Sequence, residues 1–125
     1  MDKVVRFEIP VDNMERAKVF YVTCFKWMFD TNEETNYTFI KTAESDGNVP
    51  KELGVINGRM IQRDENQPVP TIVISVEDIH DTVEKVKGAG GNVFTGVFNV
   101  GMMGLCALFK DTEGNLMGLW QSFSQ

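Results

Sequence analysis

The chain contains one histidine, His80, two cysteines and no cluster of lysines or arginines. A single imidazole rules out any site built from two histidines of one chain, which covers most mononuclear zinc and non-haem iron centres. Basic residues number 12 against 18 acidic ones, for a net charge of −6. Nucleic acid is therefore not an expected partner, because binding it needs a positive footprint that releases counterions. Cys24 and Cys106 each lie in an apolar stretch without Cys-x-x-Cys spacing. Both are expected as buried free thiols of a cytoplasmic protein. The opening Met1-Asp2-Lys3-Val4-Val5-Arg6 reaches its third charge before any apolar run, unlike a secretory signal. The uncharged run Gly88 to Phe109 holds six glycines with Asn92, Thr95 and Asn99, a composition of strands and turns and not of a membrane span. No Ser-His-Asp arrangement, phosphate loop or dinucleotide glycine pattern is present.

What is there fits one globular domain of 125 residues, 42% hydrophobic and 24% charged. Val4-Val5-Arg6-Phe7-Glu8-Ile9 alternates with period two and runs into Pro10, which predicts a strand over 3–10. Met14, Ala17, Tyr21 and Cys24 then recur at helical spacing, with Asp12 and Glu15 as a capping box, predicting a helix over 13–24. Strands are expected at Lys26 to Asp30, Tyr37 to Thr42 and Val55 to Arg63, separated by the polar runs Thr31 to Asn36 and Ala43 to Pro50. Asp64 to Gln67, closed by Pro68 and Pro70, reads as a connector between halves. Thr71 to Val76 is again a strand, and Ile79, Val83, Val86 and Ala89 mark a second helix stopped by Gly90-Gly91. Strands near Asn92 to Phe98, Leu105 to Lys110 and Leu116 to Ser122 follow, the last two joined by the turn Asp111-Thr112-Glu113-Gly114-Asn115.

Placing Val11 on Val76, an offset of 65 (76 − 11), also places Ile9 on Ile74, Met14 on Ile79 and Tyr21 on Val86. The chain thus reads as a tandem repeat of one β-α-β-β-β module, the first over 1–63 and the second over 70–125. Its fold class is α+β.

Phe7-Glu8-Ile9-Pro10-Val11-Asp12 running into Glu15 to Tyr21, then Phe25-Lys26-Trp27, then Lys110 to Asn115 closing on Gly118-Leu119-Trp120-Gln121, resemble the vicinal oxygen chelate superfamily. That superfamily includes glyoxalase I, bleomycin-resistance proteins and extradiol dioxygenases. The resemblance implies paired βαβββ modules whose sheets curl into a cup around a ligand, in a homodimer. Metal-using members hold a divalent ion on four side chains, usually two His and two Glu. Carried onto this chain, the first of those positions falls on Arg6, the third on Thr71, the fourth on Gly118 and the second near Asn57 or Gly58. A guanidinium repels a divalent ion and glycine offers no side-chain ligand, so no metal cofactor is expected.

Strand alternation, combined with that topology, turns Val4, Arg6 and Glu8 into the cup, together with Thr71, Val73 and Ser75 and with Leu116, Gly118 and Trp120. Arg6 there either binds an acidic group of a ligand or pairs with Glu8 or another acidic side chain. Glu8 is the one inward candidate for a catalytic general base. Tyr37, Met60, Trp120, Met102 and Met103 offer apolar and aromatic surface to a flat organic ligand, Thr71 and Ser75 polar anchors, and Gly101-Met102-Met103-Gly104 is expected as a flap or tight turn. His80 is expected to face solvent. The leading expectation is a small organic ligand, aromatic or acidic, bound without metal, with no nucleic acid and no membrane involved; the alternative is a glyoxalase-related lyase or isomerase. A regulatory or interaction dimer with an empty or filled-in cup stands as a third reading.

Overall fold

The computed structural model describes residues 1–33 and 37–124, so part of the polar run Thr31 to Asn36 lies outside the described residues. By its own contacts the chain divides into one unit of Arg6–Pro70 and another running from Thr71 onward together with Met1–Val5. Each unit repeats the order strand, helix, three sheet strands, and the first carries an added two-stranded hairpin. In the first, β1 (Lys3–Val11) leads to α1 (Met14–Phe25), β2 (Met28–Asn32) and β3 (Tyr37–Lys41). A small hairpin, β4 (Ser45–Asp46) and β5 (Val49–Pro50), then precedes β6 (Gly58–Gln62). The second contains β7 (Thr71–Ser75), α2 (Ile79–Gly88), β8 (Asn92–Val100), β9 (Gly104–Lys110) and β10 (Leu116–Ser122). Two helices and mixed strands make the α+β class expected.

The predicted repeat is visible in the helix starts. α1 is capped by Asn13, whose Oδ1 accepts from the Arg16 backbone N–H at 3.0 Å; α2 is capped by Asp78, whose Oδ1 accepts from the Asp81 N–H at 3.1 Å. The caps stand 65 positions apart (78 − 13), the offset of the repeat. Asp12, expected to cap α1, instead places Oδ1 2.9 Å from Arg63 Nε. The short Asn13 side chain one residue later meets the free N–H groups of the first turn, leaving the Asp12 carboxylate for a cation.

In the first unit the strand order is β2-β3-β6-β1, antiparallel except for the parallel pair of β6 with β1, which sets Phe7 beside Gly58, Glu8 beside Arg59 and Ile9 beside Met60. Val11, Ile40 and Met60 form the buried core under α1, packed by Phe7, Ile9, Met14, Ala17, Tyr21 and Trp27. Gly58 lies under the Phe7 ring, so close that a Cβ there would sit 2.2 Å from it. Lys26 turns the chain with φ +61 after the last helical turn, and Trp27 then stacks on Tyr21 with ring centroids 4.9 Å apart and planes 4° from parallel. This stack closes the end of the core and leaves Cys24 exposed, where the helical spacing predicted burial. Cys106 is buried as expected.

In the second unit the order is β7-β10-β9-β8, with β7 and β10 parallel. Val76, Ile79, Ala107 and Leu119 form its core on the α2 side, with Ile74 and Val83 packed against them. Among the described residues no helix is long and apolar enough to cross a membrane.

Candidate functional site

In each unit the strands have a face away from the helix, and side-chain alternation decides what it carries. In the first unit, the residues that alternate with core positions Ile9, Ile40 and Met60 are Arg6, Glu8, Tyr37, Phe39 and Arg59. The register confirms the set, since Glu8 pairs with Arg59 and Phe39 pairs with Arg59 from the other side. Sequence alternation had turned Arg6 and Glu8 this way. Arg59, far from both in the sequence, carries no local signal that places it there.

Glu8 is the centre of this face. Only 3% of its surface is exposed. Arg6 Nε donates to its Oε2 at 3.2 Å, Arg59 Nη2 lies 2.9 Å from the same oxygen, and Gln67 Nε2 donates to Oε1 at 2.5 Å. Gln67 is itself buried, brought there by a turn in which Asp64 Oδ1 accepts from the Asn66 and Gln67 N–H groups. The predicted connector therefore reaches into the site, which nothing in its composition indicated. Arg59 is 8% exposed; the Tyr37 ring lies 4.4 Å from its guanidinium carbon, and its Nε is a buried donor with no partner.

Burial pushes the Glu8 carboxyl up, but the charges of Arg59 and Arg6 and the Gln67 hydrogen bond outweigh that and hold it below the ordinary 4.5. A carboxylate ionised this firmly, with both oxygens engaged, is a weak proton acceptor, so Glu8 is better built to organise cations than to serve as a base. The lowered value also fixes the sign of a pH effect. Glu8 contributes its stabilisation above the unfolded value and loses it as pH falls through the lower folded one. Denaturant midpoints measured from about pH 5 to pH 3 are expected to fall more steeply for the native chain than for Glu8→Gln. Equal slopes would remove Glu8 as the source.

The remaining candidates fall elsewhere. Met60 lies in the core on the α1 side, 1% exposed, because it shares the parity of Ile9. Thr71 and Ser75 lie on the open face of the second unit; Thr71 is buried beside Val73 and Gly118, and Ser75 is in register with Trp120. Met102 and Met103 form the tight turn between β8 and β9, with the Met103 N–H bonded to Val100 O. Together with Trp120, Ser122, Phe123 and Ser124 they line a groove of about 460 Å³. The structure thus assembles Arg6, Glu8 and Tyr37 in one unit, and Trp120, Met102 and Met103 in the other. His80 is exposed, as expected.

The donor sets can be tested against a divalent ion position by position. Arg6 is the ion-pair partner of Glu8, Thr71 is a buried hydroxyl and Gly118 has no side chain. Of the two residues weighed for the second position, Asn57 spends its amide on the Thr42 N–H, Ser45 Oγ and Asn48 O, and Gly58 faces Phe7. The side chain that β6 does place beside Glu8 is a second guanidinium, Arg59. Among the described residues no group of three or more His, Cys, Asp and Glu could hold a metal ion. These residues do not fit the divalent ion of the metal-using pattern.

Comparison with known proteins bears on the fold and the family. The model of the Glyoxalase/Bleomycin resistance protein/Dioxygenase superfamily matches residues 3–119. A glyoxylase-like domain-containing protein of Didymella fabae is 29% identical over 115 residues, covering 86% of this chain and 84% of that one. A Mycobacterium bovis protein named as a candidate glyoxylase, CFP32, is 24% identical over 124 residues, 92% of this chain; the chain spans only 44% of that relative's length. Among solved structures, the Streptomyces coelicolor methylmalonyl-CoA epimerase with 2-nitronate-propionyl-CoA bound has a TM-score of 0.66 at 14% identity, covering 98% of each chain. That likeness is one of fold. With the family model matching nearly the whole length, the chain belongs to the glyoxalase/bleomycin resistance protein/dioxygenase superfamily.

Proposed function

We propose that this protein binds a small organic molecule on the open face of its first unit and does so without a divalent metal. One observation carries the reading: two guanidiniums, Arg6 and Arg59, gather on the buried Glu8 carboxylate beside the Tyr37 and Phe39 rings, and the Arg59 Nε is left without an acceptor. An aromatic wall with a few fixed polar groups is the usual make-up of a small-molecule site. The same charges that suit an organic ligand oppose a metal ion. A glyoxalase-related lyase or isomerase using Glu8 as its base has less support, because the arginines hold Glu8 ionised and occupied. The proposal includes a homodimer in the cytoplasm; Val19, Phe20, Val22 and Phe25 leave apolar surface on α1 that self-association would cover.

The test is metal analysis of the purified protein, with thermal melting in chelator and then in Zn²⁺, Ni²⁺, Mn²⁺ and Fe²⁺. A site-bound ion raises the melting temperature by mass action. No co-purifying metal and no shift are expected, while organic compounds with flat bodies are expected to raise the melt. One equivalent of a stabilising ion would overturn the metal-free reading and return the enzyme to first place.

A further inference from the structure

We infer that the ligand of this face presents a planar oxyanion on a flat body, an aromatic or conjugated carboxylate, and that Arg59 is the residue that selects it. The inference rests on the reading of a small-molecule site above and adds the ligand's chemistry and its anchor.

The charged groups of the open face are Asp30 on β2, Lys41 on β3, Arg59 on β6 and Arg6 and Glu8 on β1, placed there by register. Among the described residues three cations face two carboxylates, and the pair nearest the centre, Arg6 and Arg59, both reach Glu8. Glu8 cannot satisfy both guanidiniums. Its Oε1 is taken by Gln67, which leaves Oε2 to serve Arg6 Nε and Arg59 Nη2 together. The cost of that sharing appears on Arg59, whose Nε is buried without an acceptor. A guanidinium presents Nε and Nη as a planar fork that matches the two oxygens of a carboxylate. On Arg59 one arm of that fork is engaged by Glu8 and the other by nothing.

A buried donor without an acceptor raises the free energy of the ligand-free state, and an incoming oxyanion that re-seats the guanidinium relieves it. The shape of that oxyanion follows from its surroundings. Tyr37 covers one face of the guanidinium at 4.4 Å, and Phe39 sits opposite Arg59 on the neighbouring strand. A flat group fits beside two rings and a planar cation; a bulky tetrahedral one meets the Tyr37 ring. Gln67 takes part by keeping Glu8 from turning its second oxygen toward Arg59, so the connector preserves the vacancy on Nε.

The experiment uses the full chain and three probes, benzoate, cinnamate and phenylacetate, each beside its neutral amide. Binding is followed by thermal melting and by the side-chain Nε–H resonances of the arginines in ¹⁵N-labelled protein. At least one carboxylate is expected to bind about tenfold or more tighter than its amide and to move the Arg59 Nε–H signal. Arg59→Lys keeps the charge and removes the fork, and is expected to abolish the preference for carboxylate over amide. Arg16→Lys, the same exchange at an exposed position of α1, is expected to retain it. Cooperative melting of both variants establishes that they fold; should Arg59→Lys not fold, the Nε–H signal of the native chain decides. Acid and amide binding alike, a preference that survives Arg59→Lys, or an Arg59 Nε–H signal that ignores the carboxylates would each overturn the inference. Stabilisation by neutral organic compounds alone overturns the oxyanion and leaves the small-molecule site standing. No binding by any organic compound brings down both.

Discussion

Replacing Glu8 with alanine is expected to cost the fold about 3–5 kcal/mol, the largest effect of any single substitution at the site. The loss comes less from the missing ion pairs than from what they leave behind. Arg6 and Arg59 keep their charges, with side chains only 19% and 10% exposed, and Gln67 loses the acceptor that holds the connector in place. Two nearly buried cations then face each other without the carboxylate that stood between them. Urea denaturation reads the change as a lower midpoint at constant slope. If the orphaned charge is the cause, adding Arg59→Met to the Glu8→Ala chain restores part of the lost stability, since it removes the Arg59 cation that has lost its carboxylate. A double variant less stable than Glu8→Ala by the full cost of Arg59→Met would mean the three groups do not act together.

Gly104→Ala is the second substitution with a large expected effect, about 1–3 kcal/mol of destabilisation. A Cβ at this position would lie 2.3 Å from the Gln121 carbonyl oxygen and 2.6 Å from the Trp120 ring. The carbonyl belongs to β10, whose ladder with β9 runs Trp120 to Cys106, Gln121 to Leu105 and Ser122 to Gly104, so it cannot withdraw without opening those pairs. The ring can move only by leaving its seat against Gly104. The substitution should therefore lower the melting temperature and change the emission of Trp120, one of only two tryptophans. Gly96→Ala serves as the control, because a Cβ there meets nothing within 4 Å. Equal effects of the two would remove the steric argument.

The repeat was legible in the chain because it is written in features of short range. A strand of alternating residues, a polar cap and an apolar helical stripe each show within ten residues, and the offset of 65 follows by laying one half on the other. The inward turn of Arg6 and Glu8 was legible for the same reason, since Phe7 and Ile9 mark the opposite face. Arg59 is different. Its parity could be read from Met60, but its place beside Glu8 depends on a register between strands separated by most of a module, and no local pattern fixes that register. Gln67 was hidden more completely, because a glutamine in a polar connector looks like any solvated residue until the Asp64 turn aims it at Glu8. Cys24 lies outside the core because Tyr21 and Trp27 close the helix end, which the helical spacing alone does not show. The β4–β5 hairpin, held to β6 by the Asn57 amide, has strands too short for alternation to register at all.

The parallel pairing of the first and last strand in each module has a consequence for how the chain reaches its native state. Phe7 meets Gly58, and Ile72 meets Met117. Neither pair can form as a hairpin, so about fifty residues must be looped before either contact rewards the lost chain entropy. The antiparallel pairs β2–β3 and β9–β10 are local and can close on the microsecond scale. The slow event is then the arrival of β1 beside β6 and of β7 beside β10, which places this protein among chains that fold in milliseconds to seconds. In the first module that late event is also what first brings Glu8 to Arg59, so the cationic face is assembled last.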